Sequence, residues 1–221
     1  MGKNVLITGG TGFVGYWMRQ TQPEGIVARY VGKDNYKSAL DQDWTHIVHL
    51  APISPAKVIK QAKGTNARLL YCSSGIVYYP DNNTEYRRNK LRWEKDCLFS
   101  GVDVVIARLF TFKNVQDTNK AWHLFHLSAL ANVPIHISGD GSTVRTYMSG
   151  REMGEWMWAI LLKGKSGECY DVGSDKETTI LELARKIIKD CNSRSEIIIE
   201  GGVDPMPHYA PMDTAKTKGL L

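Results

Sequence analysis

The chain has 221 residues, a net charge of +5 and no low-complexity tract, enough for one domain with a real core or one domain plus a small lobe. No apolar run is long enough to span a bilayer, and no Lys/Arg cluster points to nucleic acid, so neither a membrane nor a nucleic-acid partner is expected. Cys72, Cys97, Cys169 and Cys191 are scattered, with no C-x-x-C pair. That spacing indicates neither a zinc site nor a disulfide framework, and a reduced cytoplasm is the expected location.

The first segment, "KNVLITGG", is an aliphatic and β-branched run ending in glycine, the pattern of a buried strand. It is apolar but short and has no small-residue cleavage pattern, so it is not read as a signal peptide. "FVGYWMRQT" follows at helical spacing, "GIVARYV" is a second strand, and "THIVHLA" a third that stops at Pro52. "AKVIKQA" is a short helix and "ARLLYCSS" a strand. "EYRRNKLRWEKDCLFSG" is a long helix, with Leu91, Lys95 and Leu98 expected on one side, Trp93 and Cys97 beside them, and Gly101 as its stop. "VDVVIARLF" returns to strand. The alternation predicts an α/β fold: a Rossmann-like, doubly wound parallel sheet with helices on both faces.

After Phe110 the rhythm changes. "AWHLFHLSALAN" and "REMGEWMWAILLKG" read as helices, and "PIHIS", "GDGSTVRTYM", "ECYDVGS" and "SEIIIEG" carry strands. "TILELARKIIKD" is a helix capped by Thr178 or Thr179. Residues 1–111 are expected to form mainly a dinucleotide-binding core. Residues 112–221 are expected to form mainly a small C-terminal substrate-binding lobe interleaved with the core sheet.

"TGGTGFVG" lies between the first strand and the first helix, and contains G-x-G-x-x-G as Gly10, Gly12 and Gly15. Glycines there allow a tight turn and let backbone N–H groups approach a pyrophosphate, which the helix N-terminus also favours. The strand-turn-helix setting makes dinucleotide binding the expectation for Gly9, Gly10, Thr11, Gly12, Phe13, Val14 and Gly15. The alternative is a purely structural glycine turn. An acid at the end of the second strand would select NAD, and a base there would accommodate NADP. Arg29 and Tyr30, followed by Lys33 and Asp34, send a mixed signal, so the cofactor is NAD or NADP, with NAD favoured. Arg29 is the candidate for that contact, or else a solvated strand end.

Tyr86 and Lys90 are an i, i+4 pair on the long helix and share a face. A free tyrosine is a poor base at neutral pH, and an ammonium beside it is expected to lower its pKa. The same ammonium can hold a nicotinamide ribose, and a serine hydroxyl at the end of the preceding strand can bond a substrate oxygen. Together these groups would move a proton while the cofactor takes a hydride. Other polar residues have blander readings. His46 and His49 flank a strand and are read as packing. His123 and His126 have no evident third ligand, so no metal is expected. Trp156 and Trp158 are read as core.

With these residues in order, the sequence resembles the extended branch of the short-chain dehydrogenase/reductase superfamily, the NAD-dependent sugar-nucleotide epimerases and dehydratases. "TGGTGFVG" resembles its cofactor loop, "HIVHLA" its fourth strand, "SSGIVY" its serine strand, "YRRNKLRWE" its catalytic helix and "VVIARLF" the strand after it. "GDGSTVRTYM" is similar to its sugar-nucleotide segment, and "CYDVGS" with "TILELA" to its C-terminal lobe. The resemblance implies Ser74 as catalytic serine, Tyr86 as acid/base and Lys90 as its partner. It implies Leu50, Ala51 and Pro52 against the cofactor and Arg145 on the substrate diphosphate, with a nucleotide sugar as the partner molecule. The family's dehydratases carry Asp-Glu directly after the serine or threonine, where this chain has Gly75 and Ile76. The segment before "THIVHLA" is compressed, so a strand or helix of the family is expected to be missing. "AKVIKQAKGTN" is short for the helix that builds the family's dimer interface, which makes a homodimer possible but that route to it doubtful. The activity implied is that of an epimerase-type oxidoreductase. A keto-sugar-nucleotide or other carbonyl reductase and a non-catalytic dinucleotide-binding regulator are the alternatives.

Overall fold

The computed structural model describes residues 2–32, 35–114, 120–204 and 206–221. In chain order the elements are β1 (Lys3–Thr8), α1 (Phe13–Gln20), β2 (Ile26–Val31), α2 (Tyr36–Ala39), β3 (His46–His49), α3 (Ala56–Thr65), β4 (Arg68–Ser74), a 3-10 turn (Gly75–Tyr78), α4 (Glu85–Leu98) and β5 (Val104–Leu109). There follow α5 (Ala121–Ala131), β6 (Ile135–Ser138), β7 (Val144–Thr146), α6 (Gly150–Lys163), β8 (Cys169–Val172), β9 (Glu177–Thr179), α7 (Ile180–Asp190), β10 (Ile197–Gly201), β11 (His208–Tyr209) and α8 (Ala215–Lys218).

The chain divides into two units. The first comprises Met1–Phe110, Gly150–Val172 and Pro211–Leu221; the second comprises Thr111–Ser149 and Gly173–Ala210. The first unit is built on a six-stranded sheet in the order β2-β1-β3-β4-β5-β8, with every neighbouring pair parallel. Parallel strands covered on both faces have no polar side to offer water, so they read as continuous apolar runs. Val5, Leu6, Ile7, Leu69, Leu70, Val105 and Ile106 are accordingly fully buried. One face carries α1 packed with α6. The other buries Leu6, Ile47, Leu69, Tyr71 and Ile106 against Val58 and Ala62 of α3 and Trp93 and Cys97 of α4.

The chain leaves β1 toward β2 on one side and toward β3 on the other, so strand order reverses between β1 and β3. A crevice outside the carboxyl ends of the strands at such a reversal is where α/β sheets bind ligands. Among the described residues no strand lies beyond β2. Among the described residues between β2 and β3 there is the four-residue α2, followed by the buried Trp44, whose indole donates to the Ala39 carbonyl at 2.7 Å. This is the compressed segment noted in the sequence.

The second unit holds a parallel pair, β10-β6, and a three-stranded sheet, β11-β7-β9. Its core packs Phe125 and Ala129 of α5 with Ile135, Ile137 and Leu183, Ala184 and Ile187 of α7. Thr179 caps α7 in a capping box with Glu182, the second of the two threonines expected.

The long helix departs from expectation. Its buried face is Lys90, Trp93, Glu94 and Cys97, whereas Lys95 is exposed and Leu91 and Leu98 are only partly buried. Apolar spacing misled because two charged residues are buried, each with its own partner.

His49 is fully buried. Its Nε2 faces the Ile53 carbonyl at 3.1 Å, which can only accept, so that nitrogen carries the proton. Nδ1 therefore accepts from the Thr8 hydroxyl at 2.7 Å, tying β1 to β3 and to the loop after β3. Burial pushes the imidazole down from its ordinary 6.5 to about 4. A folded-state pKa below the unfolded one favours the neutral ring in the native state. The stability it confers is whole above the unfolded value and is lost as pH falls from 6.5 toward about 4. Urea unfolding should therefore show wild type losing about 2–3 kcal/mol more than His49→Gln between about pH 7.5 and about pH 4.5. Parallel losses in the two proteins would refute this assignment.

Candidate active site

The glycine turn sits at the strand-order reversal. Gly9 has φ +73°, and a Cβ there would lie 2.6 Å from the Ala51 nitrogen, so the turn and the loop after β3 touch backbone to backbone. A Cβ on Gly10 would strike Tyr30, and one on Gly15 would strike Gly10. Those three glycines are required by the fold itself. Gly12 is different. It is the N-cap of α1 with φ −84° and ψ 179°, which any residue adopts, and a Cβ there would meet nothing nearer than the Gly9 carbonyl oxygen at 3.5 Å. The fold does not require glycine at that exposed position; a ligand approaching the helix N-terminus would.

The other cofactor candidates fall as follows. Thr11 lies beside Gly32 just past β2. Phe13 and Val14 open α1 and are partly buried. The Leu50 N–H donates to the Thr8 carbonyl at 3.0 Å, Ala51 is buried against Gly9, and Pro52 is exposed. Arg29 is exposed on β2, two residues before its end, while its neighbour Tyr30 is covered by the Arg19 guanidinium at 4.4 Å. Lys33 and Asp34 lie outside the described residues.

Ser74 ends β4, and its hydroxyl accepts from the Ile76 N–H at 3.3 Å, capping the turn that follows. Thr84 caps α4 by accepting from the Arg87 N–H. Tyr86, in the first turn of α4, is hydrogen-bonded to the side chain of Ser74. Its ring keeps about half its surface exposed (51 %), yet the hydroxyl end lies against Ser74 and Cys72. Lys90 is buried; its Nζ donates to the Cys72 carbonyl at 2.7 Å and sits 5.2, 5.7 and 6.0 Å from the ring centres of Tyr71, Tyr86 and Trp93. Ser74, Tyr86 and Lys90 thus converge at the carboxyl end of β4.

The electrostatics correct one expectation. Lys90 was expected to hold the Tyr86 phenol below its usual value. In this chain burial raises the phenol, the Ser74 hydrogen bond pulls it back down, and Cys72 raises it. Burial also lowers the Lys90 ammonium. One N–H of Lys90 donates to the Cys72 carbonyl at 2.7 Å.

Two features were not legible as functional in the sequence. Glu94, one turn beyond Lys90 on α4, is buried and bound bidentately by Arg108 of β5, at 3.0 Å from Nε and 2.6 Å from Nη2. Gly75, next to Ser74, has the Phe110 ring within 2.3 Å of where its Cβ would be, so a side chain there would require that ring to shift. Arg145 belongs to the second unit. Its Nη1 donates to the Val144 carbonyl at 2.8 Å and its Nη2 to Asp204 at 3.1 Å, a carboxylate that also accepts from Thr143. Among the described residues no group of three or more His, Cys, Asp or Glu could hold a metal ion, and no helix is long and apolar enough to cross a membrane.

No protein-family model matches the chain. UDP-glucuronic acid decarboxylase 2 of Arabidopsis thaliana is 24 % identical over 288 residues, spanning 100 % of this chain and 64 % of that protein. The chain spans between 10 % and 64 % of the length of the curated relatives it matches. The fold is that of dTDP-glucose 4,6-dehydratase from Bacillus anthracis, solved with NAD (TM-score 0.79, 20 % identity, 98 % of this chain and 89 % of that one). It is equally that of UDP-glucose 4-epimerase from Thermotoga maritima, solved with UDP-glucose (TM-score 0.80, 15 % identity, 98 % and 91 %). The chain is thus similar in sequence to a UDP-glucuronic acid decarboxylase and shares the fold of a sugar-nucleotide dehydratase and a sugar-nucleotide epimerase.

A paired substitution separates the structural glycines from the ligand-facing one. Gly9→Ala should lower stability by more than about 1 kcal/mol, because it meets both a positive φ and the Ala51 backbone. Gly12→Ala should melt within about 0.5 kcal/mol of wild type and yet bind NAD at least about tenfold more weakly. Unchanged NAD affinity in Gly12→Ala, measured by calorimetry, would remove the cradle reading.

Proposed function

We propose that this chain is an NAD-dependent oxidoreductase of the sugar-nucleotide epimerase type. In this reading the first unit holds the dinucleotide and the reacting groups, and Arg145 of the second unit is the candidate for binding a substrate diphosphate. The observation that carries it is the hydrogen bond between Ser74 and Tyr86 beside the buried Lys90, at the sheet end that also bears the exposed Gly12.

The residues fit the cofactor. Gly12 and the N-terminus of α1 would receive the pyrophosphate, with Leu50 and Ala51 along the flank of the crevice. Lys90 spends one N–H on the Cys72 carbonyl and has further donors for ribose hydroxyls. When bound, the dinucleotide supplies the hydride acceptor and donor. Tyr86 would take the proton of the reacting sugar hydroxyl and return it, and Ser74 would hold the same oxygen. Elimination finds no support at positions 75 and 76, where the chain has glycine and isoleucine rather than acids. Arg145 would meet a diphosphate only by sharing or leaving Asp204, since its guanidinium is already paired.

The raised pKa of Tyr86 favours a second reading, a reductase of a 4-keto sugar nucleotide. A phenol kept protonated is a ready proton donor to a carbonyl reduced by hydride. An epimerase recycles its dinucleotide, whereas a reductase consumes NAD(P)H mole for mole. Purified protein incubated with UDP- and dTDP-hexoses and their 4-keto forms distinguishes the two. In either case Tyr86→Phe should reduce turnover at least about 100-fold with NAD affinity within about threefold of wild type. Full activity in Tyr86→Phe would eliminate both.

A further inference from the structure

Arg108 touches both sides of the Ser74–Tyr86 contact. On one side its guanidinium grips Glu94 with two hydrogen bonds. Glu94 follows Lys90 by one turn on the same buried face of α4. Lys90 ties α4 to the Cys72 carbonyl and Arg87 ties it to the Val77 carbonyl. The bidentate grip on Glu94 adds a directional contact to β5, so Arg108 takes part in setting the position of the helix that carries Tyr86.

On the other side the guanidinium lies over the Tyr78 ring, 4.7 Å from its centre. Tyr78 closes the 3-10 turn that Ser74 caps. Its ring also stacks with Phe110, with ring centres 6.4 Å apart and 19° between planes. Its hydroxyl donates to Asp171 of β8 at 2.9 Å and is also hydrogen-bonded with Arg108. Asp171 in turn accepts the N–H groups of Met212 and Asp213, so the turn is anchored to the C-terminal segment of the first unit. Every group in this chain of contacts is satisfied inside the protein.

We propose that Arg108 is a positioning residue that sets the Ser74–Tyr86 hydrogen bond, holding the tyrosine helix through Glu94 and the serine turn through Tyr78. The inference deepens the Ser-Tyr-Lys reading and rests on it. Arg108 touches neither reacting oxygen. Lysine cannot replace it, because an ammonium offers no bidentate fork for Glu94 and no plane for Tyr78.

The groups facing the Tyr86 phenol are the Ser74 hydroxyl, Cys72, Lys90 and Tyr71. Of these, Ser74 is the one whose hydrogen bond holds the phenol down. The decisive readout is therefore the titration of Tyr86 in ligand-free protein. It is followed by ¹⁹F NMR after 3-fluorotyrosine labelling, with the resonance assigned by its loss in Tyr86→Phe. In Arg108→Lys the Tyr86 midpoint should move up by at least about half a pH unit. The kcat for a UDP- or dTDP-hexose should fall about 10- to 100-fold with NAD affinity and KM within about threefold. Should Arg108→Lys fail to fold, Tyr78→Phe, which removes only the hydroxyl, is expected to shift the same resonance in the same direction. A folded variant with an unmoved Tyr86 midpoint, or with kcat lost only in proportion to the unfolded fraction, overturns the positioning role. The Ser-Tyr-Lys reading is judged separately, by the turnover of Tyr86→Phe.

Discussion

The arrangement of this protein depends on two opposite charges buried on one face of α4. Lys90 and Glu94 are both removed from water, which is costly for any ion that lacks a partner. Each finds its partner on the sheet: the Cys72 carbonyl at the end of β4 for the ammonium, and the Arg108 guanidinium of β5 for the carboxylate. Neither partner is on α4 itself, so the helix satisfies its charges only when docked at one position on strands β4 and β5. That requirement brings Tyr86 to Ser74. Apolar packing of Trp93 and Cys97 supplies the attraction, but smooth hydrophobic surfaces tolerate sliding; directional bonds to buried charges do not.

Local features were legible in the sequence. The glycine turn, the strand that feeds it and the helix that leaves it are set by residues within a few positions of one another. The alternation that gives a parallel sheet is carried by uninterrupted apolar runs such as Val104–Ala107. The capping box of α7 likewise lies within four residues. What the sequence hid was long-range pairing. Arg108 reaches Glu94 across fourteen positions, Thr8 reaches His49 across forty-one and Arg145 reaches Asp204 across fifty-nine. Apolar periodicity could not find the buried face of α4, because a buried ion looks the same as a solvated one until its partner is known. His49 looked like ordinary strand packing, and only the facing carbonyl of Ile53 reveals that its tautomer is fixed.

The glycines of the turn show how a motif mixes two kinds of constraint. Gly9, Gly10 and Gly15 are demanded from within, by backbone and side-chain atoms of the same chain. Gly12 answers to no internal neighbour. A sequence pattern gives the four equal weight, whereas the packing requires glycine at three of them and leaves room for a side chain at the fourth. The same distinction applies to Arg145: its type and place suit an anion, but in this chain its charge is already matched by Asp204.

Phe110 carries a consequence for how the chemistry of such a scaffold can diversify. Its ring fills the space beside Gly75 and stacks on Tyr78, which in turn lies under the Arg108 guanidinium. A side chain at position 75 would require that ring to move, so the residues this position accepts are coupled to the size of the aromatic at 110 and, through its stacking, to the seat of Tyr78.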